Sequence, residues 1–217
     1  MDTAVSLVQA YLNVNGYFTV VEYPVLEAYR QGARSVTDLD ILAFRFADAG
    51  HEVIRGRKHA PLGGHAFEPD PALGCPTDRP DMIVGEVKEG AARFNPATRD
   101  PLVLEVALAR FGCCSPESAQ HLAQQLLSRG RVDTPAGHSI RMVAFGAAPD
   151  TAAGEHAIIV PMRHVVSFLR SYLRAYWDVL RHSQIKDPTL GVLALLEKWD
   201  AVDEQQPRAH ATEKGAI

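Results

Sequence analysis

The sequence contains no apolar run of the roughly 18 residues that a bilayer-spanning helix needs, so no membrane partner is expected. It opens Met1-Asp2-Thr3, without the basic and then apolar stretch of a secretory leader. Cysteine is scarce. Cys75, Cys113 and Cys114 are an odd number without framework spacing, which argues against a disulfide scaffold and for a reducing, cytoplasmic location. Positive charge is also short. Lys and Arg number 22 against 26 Asp and Glu, a net charge of −4, which argues against coating nucleic acid by bulk attraction but allows a local basic strip. No internal repeat is visible.

What is present suffices for one ordinary core. At 217 residues and 47% hydrophobic content, a single domain over 1–204 is expected, with a polar tail over 205–217 read as disordered. Ala4, Val5, Leu7, Val8, Tyr11 and Leu12 recur at helical spacing over 2–15, stopped by Asn15-Gly16. Residues 17–23 are aromatic and β-branched and read as a strand ended by Pro24. A second strand spans 36–46. Segment 47–79, rich in Gly, Pro and His, is long for a loop, so it is read as an insertion that is functional or carries small elements. Residues 82–88 form a third strand, apolar on both faces until its end, as suits a central strand. Helices follow over 100–111 and 116–129, the latter opened by Ser115 and Pro116. Strands over 140–146 and 156–160, a long helix to about Arg181 and a last helix over 188–201 complete the chain. Early antiparallel strands followed by crossover helices predict an α/β fold with a mixed central sheet flanked by helices.

The chemistry gathers at Glu86-Val87-Lys88. Residues two apart on a strand share a face, so Glu86 and Lys88 point the same way. Of five lysines, only Lys88 follows an acid at that spacing, and it does so at the end of an apolar strand, where charge is costly to bury. If Asp40 lies on the adjacent strand, its carboxylate meets that of Glu86 over one hard cation, with the Val87 carbonyl as a further ligand and water and phosphate filling the shell. The same residues also allow a plain surface ion pair.

Thr37-Asp38-Leu39-Asp40-Ile41-Leu42-Ala43, followed by Ile83-Val84-Gly85-Glu86-Val87-Lys88, resembles the PD-(D/E)xK nuclease superfamily. Over roughly 2–147 the element order also resembles that family's α-β-β-β-α-β core. The resemblance implies a restriction-endonuclease-like mixed sheet, with the insertion between its second and third strands and a helical extension over 162–201. It implies Mg²⁺ or Mn²⁺ as cofactor, DNA as partner, Asp40 and Glu86 as metal ligands and Lys88 as the catalytic lysine. A metal-dependent endonuclease is the leading expectation. A nuclease fold that binds nucleic acid or a partner protein without cutting is the alternative. Three departures stand out. The span from Asp40 to Glu86 exceeds the family's usual one, Pro80-Asp81 just before the third strand offers a second candidate for the family's PD, with Asp40 favoured, and the first helix offers only Gln9 where some members carry a glutamate ligand. Asp38 and Asp81 are additional acidic candidates. Asp81, five residues from Glu86, belongs on the opposite strand face, as a substrate-contacting or structural residue.

Arg163, Arg170, Arg174 and Arg181 align on one face of a continuous helix over 162–182, an expected nucleic-acid-binding stripe set against the alternative of a solvated face. Arg93 or Asn95 and Glu105 could line a cleft beside Lys88, with plain surface polar residues the favoured reading of each. His59, His65 and Cys75 match no standard zinc spacing, and buried structural thiols are the plainer reading of Cys113-Cys114 near His121. A homodimer is a candidate assembly.

Overall fold

The computed structural model describes residues 2–49, 51–54, 63–66, 68–149, 157–182 and 184–205. The chain divides into two compact units, Met1–Val166 and Ser167–Ile217. Residues 206–217, which hold nearly all of the expected tail, lie outside the described residues, as does His59.

In the first unit, helix α1 (Thr3–Val14) starts where the Asp2 carboxylate accepts the Ala4 N–H at 3.0 Å and buries Val5, Val8, Tyr11 and Leu12. Strands β1 (Phe18–Tyr29) and β2 (Gly32–Arg45) form an antiparallel hairpin. Pro24 does not end β1, as the sequence suggested. The strand lies at the sheet edge, where the missing proline N–H breaks no ladder, and a register shift between Val25 and Leu26 absorbs the distortion. The insertion carries its own small elements: β3 (His51–Ile54) pairs antiparallel with β4 (Gly63–Ala66), and a 3₁₀ turn covers Pro71–Leu73.

Strand β5 (Asp81–Val87) is buried along its whole length. It runs antiparallel to β2 and parallel to β8 (Ser139–Gly146), and β10 (Ile158–Pro161) runs parallel to β8 beyond it. Helices α2 (Pro101–Phe111) and α3 (Pro116–Arg129) make the crossover from β5 to β8. The sheet order is therefore β1-β2-β5-β8-β10, with β7 (Arg131–Asp133) antiparallel on β8. Short β6 (Ala91–Ala92) and β9 (Ala148–Pro149) make a parallel bridge. The result is a mixed α/β sheet flanked by helices. No helix among the described residues is long and apolar enough to cross a membrane.

Strand parity decides where each side chain goes. Leu42, Met82, Val84, Ile140 and Met142 share a core with α2 and α3. The opposite parity, including Ile41, Ile83, Val143 and Phe145, faces α1, whose Tyr11 ring meets Phe145 edge-on at 6.3 Å. On that face lies a fully buried ion pair. Arg141 donates to Asp81 through Nε at 2.9 Å and Nη2 at 2.6 Å. Tyr17 donates its hydroxyl to Asp81 at 2.5 Å, and Arg141 also reaches the Leu73 carbonyl. Burial, then the Asp81 charge, pushes the Tyr17 phenol far above its ordinary range, keeping it a donor. Asp81 is thus a structural residue, pointing away from Glu86 as its position on the strand requires.

Arg141→Met keeps an apolar stem and leaves Asp81 buried without its cation. It is expected to destabilise the first unit by about 3–5 kcal/mol, read as a fall in the urea midpoint. A loss below about 1 kcal/mol, the range of exposed pairs, would show that water reaches the site.

Candidate functional site

The β2–β5 ladder ends with Ile41 opposite Gly85, so the next residues, Asp40 and Glu86, face each other across it. Their side chains share the α2/α3 side of the sheet, at the end where β5 gives out. There the Val87 N–H donates to Asp40 Oδ2 at 2.8 Å. The Lys88 N–H donates to the Phe145 carbonyl at 2.9 Å, which extends the strand pairing by one residue and keeps Lys88 on the Glu86 face. Lys88 Nζ is hydrogen-bonded to Glu86 Oε1 and lies 3.8 Å from Asp40 Oδ2. Thr98 Oγ1, itself buried, donates to the other Glu86 oxygen at 2.6 Å. The Glu86 side chain is 4% exposed, Asp40 24% and Lys88 34%, so the cluster is dry at its base and open at its mouth.

Two carboxylates share one amine in this corner. Burial raises the Asp40 carboxyl above the ordinary carboxylate range. The Val87 N–H opposes the shift, the Glu86 charge adds to it, Lys88 opposes it and Asp2 adds to it. Glu22, on β1 across from Asp40, has φ of +51°, a left-handed conformation that is strained for a residue with a side chain. No group of three or more His, Cys, Asp or Glu side chains arranged to hold a metal occurs among the described residues. The available donors are Asp40, Glu86 and the Val87 carbonyl. They suit a hard cation that retains several waters, Mg²⁺ or Mn²⁺, and not a four-ligand zinc site.

The segment after Lys88 is held firmly. A Cβ on Gly146 would lie 2.6 Å from the Ala92 nitrogen, so only glycine allows this approach of β8 to β6. The Ala147 N–H donates to the Gly90 carbonyl at 2.6 Å, and Ala92 and Phe94 are buried. Arg93, between them, is turned outward. A cleft of about 460 Å³ opens there, lined by Lys88, Arg93, Phe94, Asn95, Pro96 and Arg99. Arg93 and Asn95 line this cleft, although the sequence favours a plain polar surface residue for each. Glu105 is not among the lining residues, and one of its oxygens is buried without a hydrogen-bond partner.

The arginine stripe needs correction. The helix stops at Ala175 (α4, Met162–Ala175) and a short α5 (Trp177–Leu180) precedes α6 (Pro188–Gln205), so Arg181 does not continue the same helical face. Arg170 is bonded to Glu197 and Asp200 of α6, and Arg174 to Glu197. Burial works against the Glu197 charge, but the two arginines overcome it and hold its carboxyl below the usual range. Arg170 and Arg174 clamp two helices of the second unit together. Arg181 lies 3.5 Å from Asp178 and Arg163 is exposed. Asp38 is exposed, beyond the end of the β2–β5 ladder. The Cys113 thiol is pushed up by burial, the reverse of an activated nucleophile, and His121 is paired with Gln125. Sequence reasoning missed Thr98, whose role depends on a loop returning to β5.

The raised Asp40 pKa has a stability consequence. The folded state holds that proton more tightly than the unfolded chain, so the contribution is favourable at low pH and is lost as pH rises through the folded pKa. Asp40→Asn keeps an acceptor for the Val87 N–H and removes the charge. In the metal-free protein it is expected to raise stability at neutral pH by about 0.5–2 kcal/mol, and to flatten the decline above about pH 4, measured by thermal melts in chelator. A variant less stable than the parent at neutral pH would mean that Lys88 more than compensates burial. Against this geometry, no protein-family model, curated protein or solved structure matches the chain.

Proposed function

We propose that this protein is a Mg²⁺- or Mn²⁺-dependent endonuclease of restriction-endonuclease-like fold that hydrolyses DNA phosphodiesters. The observation that carries the reading is the meeting of Asp40, Glu86 and Lys88 at one end of the sheet, from strands distant in sequence. The path β1-β2-β5-β8, antiparallel twice and then parallel through a helical crossover, supports the finer fold assignment.

Asp40 and Glu86 would hold the cation, with the Val87 carbonyl beside them. When bound, the cation supplies Lewis-acid charge that activates water and offsets negative charge growing on phosphorus. The chain's own groups do the rest. The Val87 N–H fixes Asp40 by one oxygen and leaves the other to face the ligand. Thr98 fixes one oxygen of Glu86, and Lys88 holds the other. Lys88, a third exposed, donates its Nζ–H groups to a non-bridging phosphate oxygen once Glu86 is engaged elsewhere. The buried floor excludes bulk water, which strengthens each of these interactions.

A second reading, a nuclease fold that binds DNA or a partner without cutting, is favoured by the net charge of −4 and by Gln9 in place of a first-helix acid; Gln9 donates instead to Thr19 at 3.2 Å. The two readings separate on one pair of measurements. Lys88→Ala is expected to lower metal-dependent plasmid cleavage by roughly 10²–10³-fold, and Asp40→Asn to abolish Mn²⁺ binding in calorimetry. Wild-type protein that binds no divalent ion and cuts nothing would leave the binding reading.

A further inference from the structure

The cleft beyond Lys88 holds more cationic chemistry than one catalytic lysine requires. Arg93 stands with Lys88 along its wall, Arg99, engaged elsewhere within the protein, borders it, and no carboxylate is among the described lining residues, in a chain with more acids than bases. Asn95 adds a donor of fixed direction. Its Oδ1 accepts the Ala97 N–H at 3.1 Å, so its Nδ2 is the end left to face a ligand. These groups do not ride on a loose loop. Gly146 meets the backbone of Ala92, Ala147 bonds Gly90, Phe94 is buried, and Thr98 is tied to Glu86, so the lip is anchored at both ends and in the middle. Phe94, being buried, offers no ring for a base to stack on. Pre-positioned cations and an amide N–H, without an exposed aromatic face or an acid, match phosphate oxygens and do not match a base edge.

We infer that the part of this cleft bordered by Arg93 and Asn95 is a phosphate subsite of a DNA strand, next to the phosphate that Lys88 addresses. This rests on the nuclease reading for the identity of the strand. The subsite fixes the register of the backbone against Asp40 and Glu86 and carries no sequence preference, since it touches only what every nucleotide shares. It would also reconcile the proposed DNA binding with an acidic chain: the attraction is local and short-ranged, within about 10 Å at 0.1 M salt.

The test is fluorescence anisotropy of a labelled oligonucleotide in chelator, titrated with salt, so that binding is read without cleavage. Arg93→Ala removes an exposed side chain, and Asn95→Asp keeps the acceptor for Ala97 while replacing the amide donor with a charge that repels phosphate. Each is expected to weaken binding on the order of threefold to tenfold, and Arg93→Ala to reduce the salt slope by about one. Oligonucleotides with and without a 5′-phosphate distinguish the source. Equal losses on both assign an internal phosphodiester, a loss only on the phosphorylated one assigns the strand end, and either upholds the subsite. Unchanged affinity and salt slope in both variants would overturn it. Wild-type cleavage that requires Lys88 while both variants bind normally removes the subsite and leaves the nuclease reading. Binding lost in the variants of a protein that never cuts does the reverse.

Discussion

A strand buried on both faces must neutralise every charge it carries, and β5 carries an acid at each end and a lysine one residue beyond. Its two-residue period sends Asp81 to the α1 side and Glu86 and Lys88 to the α2/α3 side. The rest of the first unit follows from how those charges are met. Arg141 on β8 and Tyr17 before β1 close over Asp81, joining the sheet to the start of the hairpin and to the insertion through the Leu73 carbonyl. Asp40 on β2, Thr98 before α2 and the turn after Lys88 close over Glu86.

A similar economy of polar contacts holds the insertion. Arg45, at the end of β2 and 1% exposed, donates to carbonyls of Asn15, Ala49 and Pro76. Asp70 accepts from Tyr11 at 2.7 Å and pairs with His164 at 2.6 Å, while its N–H donates to Asn15 Oδ1 at 2.7 Å. Buried polar groups left unpaired cost about 1–3 kcal/mol each, so these bonds fix the two ends of the inserted segment in place. An insertion so anchored leaves the β2–β5 register undisturbed, and that register is what sets Asp40 opposite Glu86.

Much of this was legible in the sequence because it depends on local rules. The apolar run of 82–88 marked a central strand, the parity of Asp81 and Glu86 put them on opposite faces, and Pro116 opens α3 at its first position, although the Ser115 side chain makes no cap bond. The misreadings come from tertiary context. Pro24 ends a strand only where its N–H is needed, and sequence does not say which strand is at the edge. The arginines were correctly spaced for a stripe, but Glu197 lies 27 residues from Arg170, so the bond that turns a phosphate contact into a helix clamp left no local signal. Thr98 and Gly146 were invisible for the same reason: each matters only for what another segment brings to it.

The two charge clusters on β5 are dissimilar, and that difference argues for function more strongly than the motif does. Around Asp81 the balance is complete, with a bidentate guanidinium, a phenol and no spare acid. A fold selected only for stability would treat Glu86 alike, with one cation for one carboxylate. Instead Asp40 is added beside it, its ionisation opposed by burial, while a single half-open lysine serves both, and across from it Glu22 holds an unfavourable backbone angle. Such local costs persist where the surrounding structure over-determines them, and they concentrate at sites that bind or react. The oxygens of Asp40, Glu86 and the Val87 carbonyl gather at this corner, and Arg93 and Asn95 stand in the adjoining cleft. Two acids beside one amine, at the mouth of that cleft, are the arrangement that the proposed divalent ion and phosphodiester would engage.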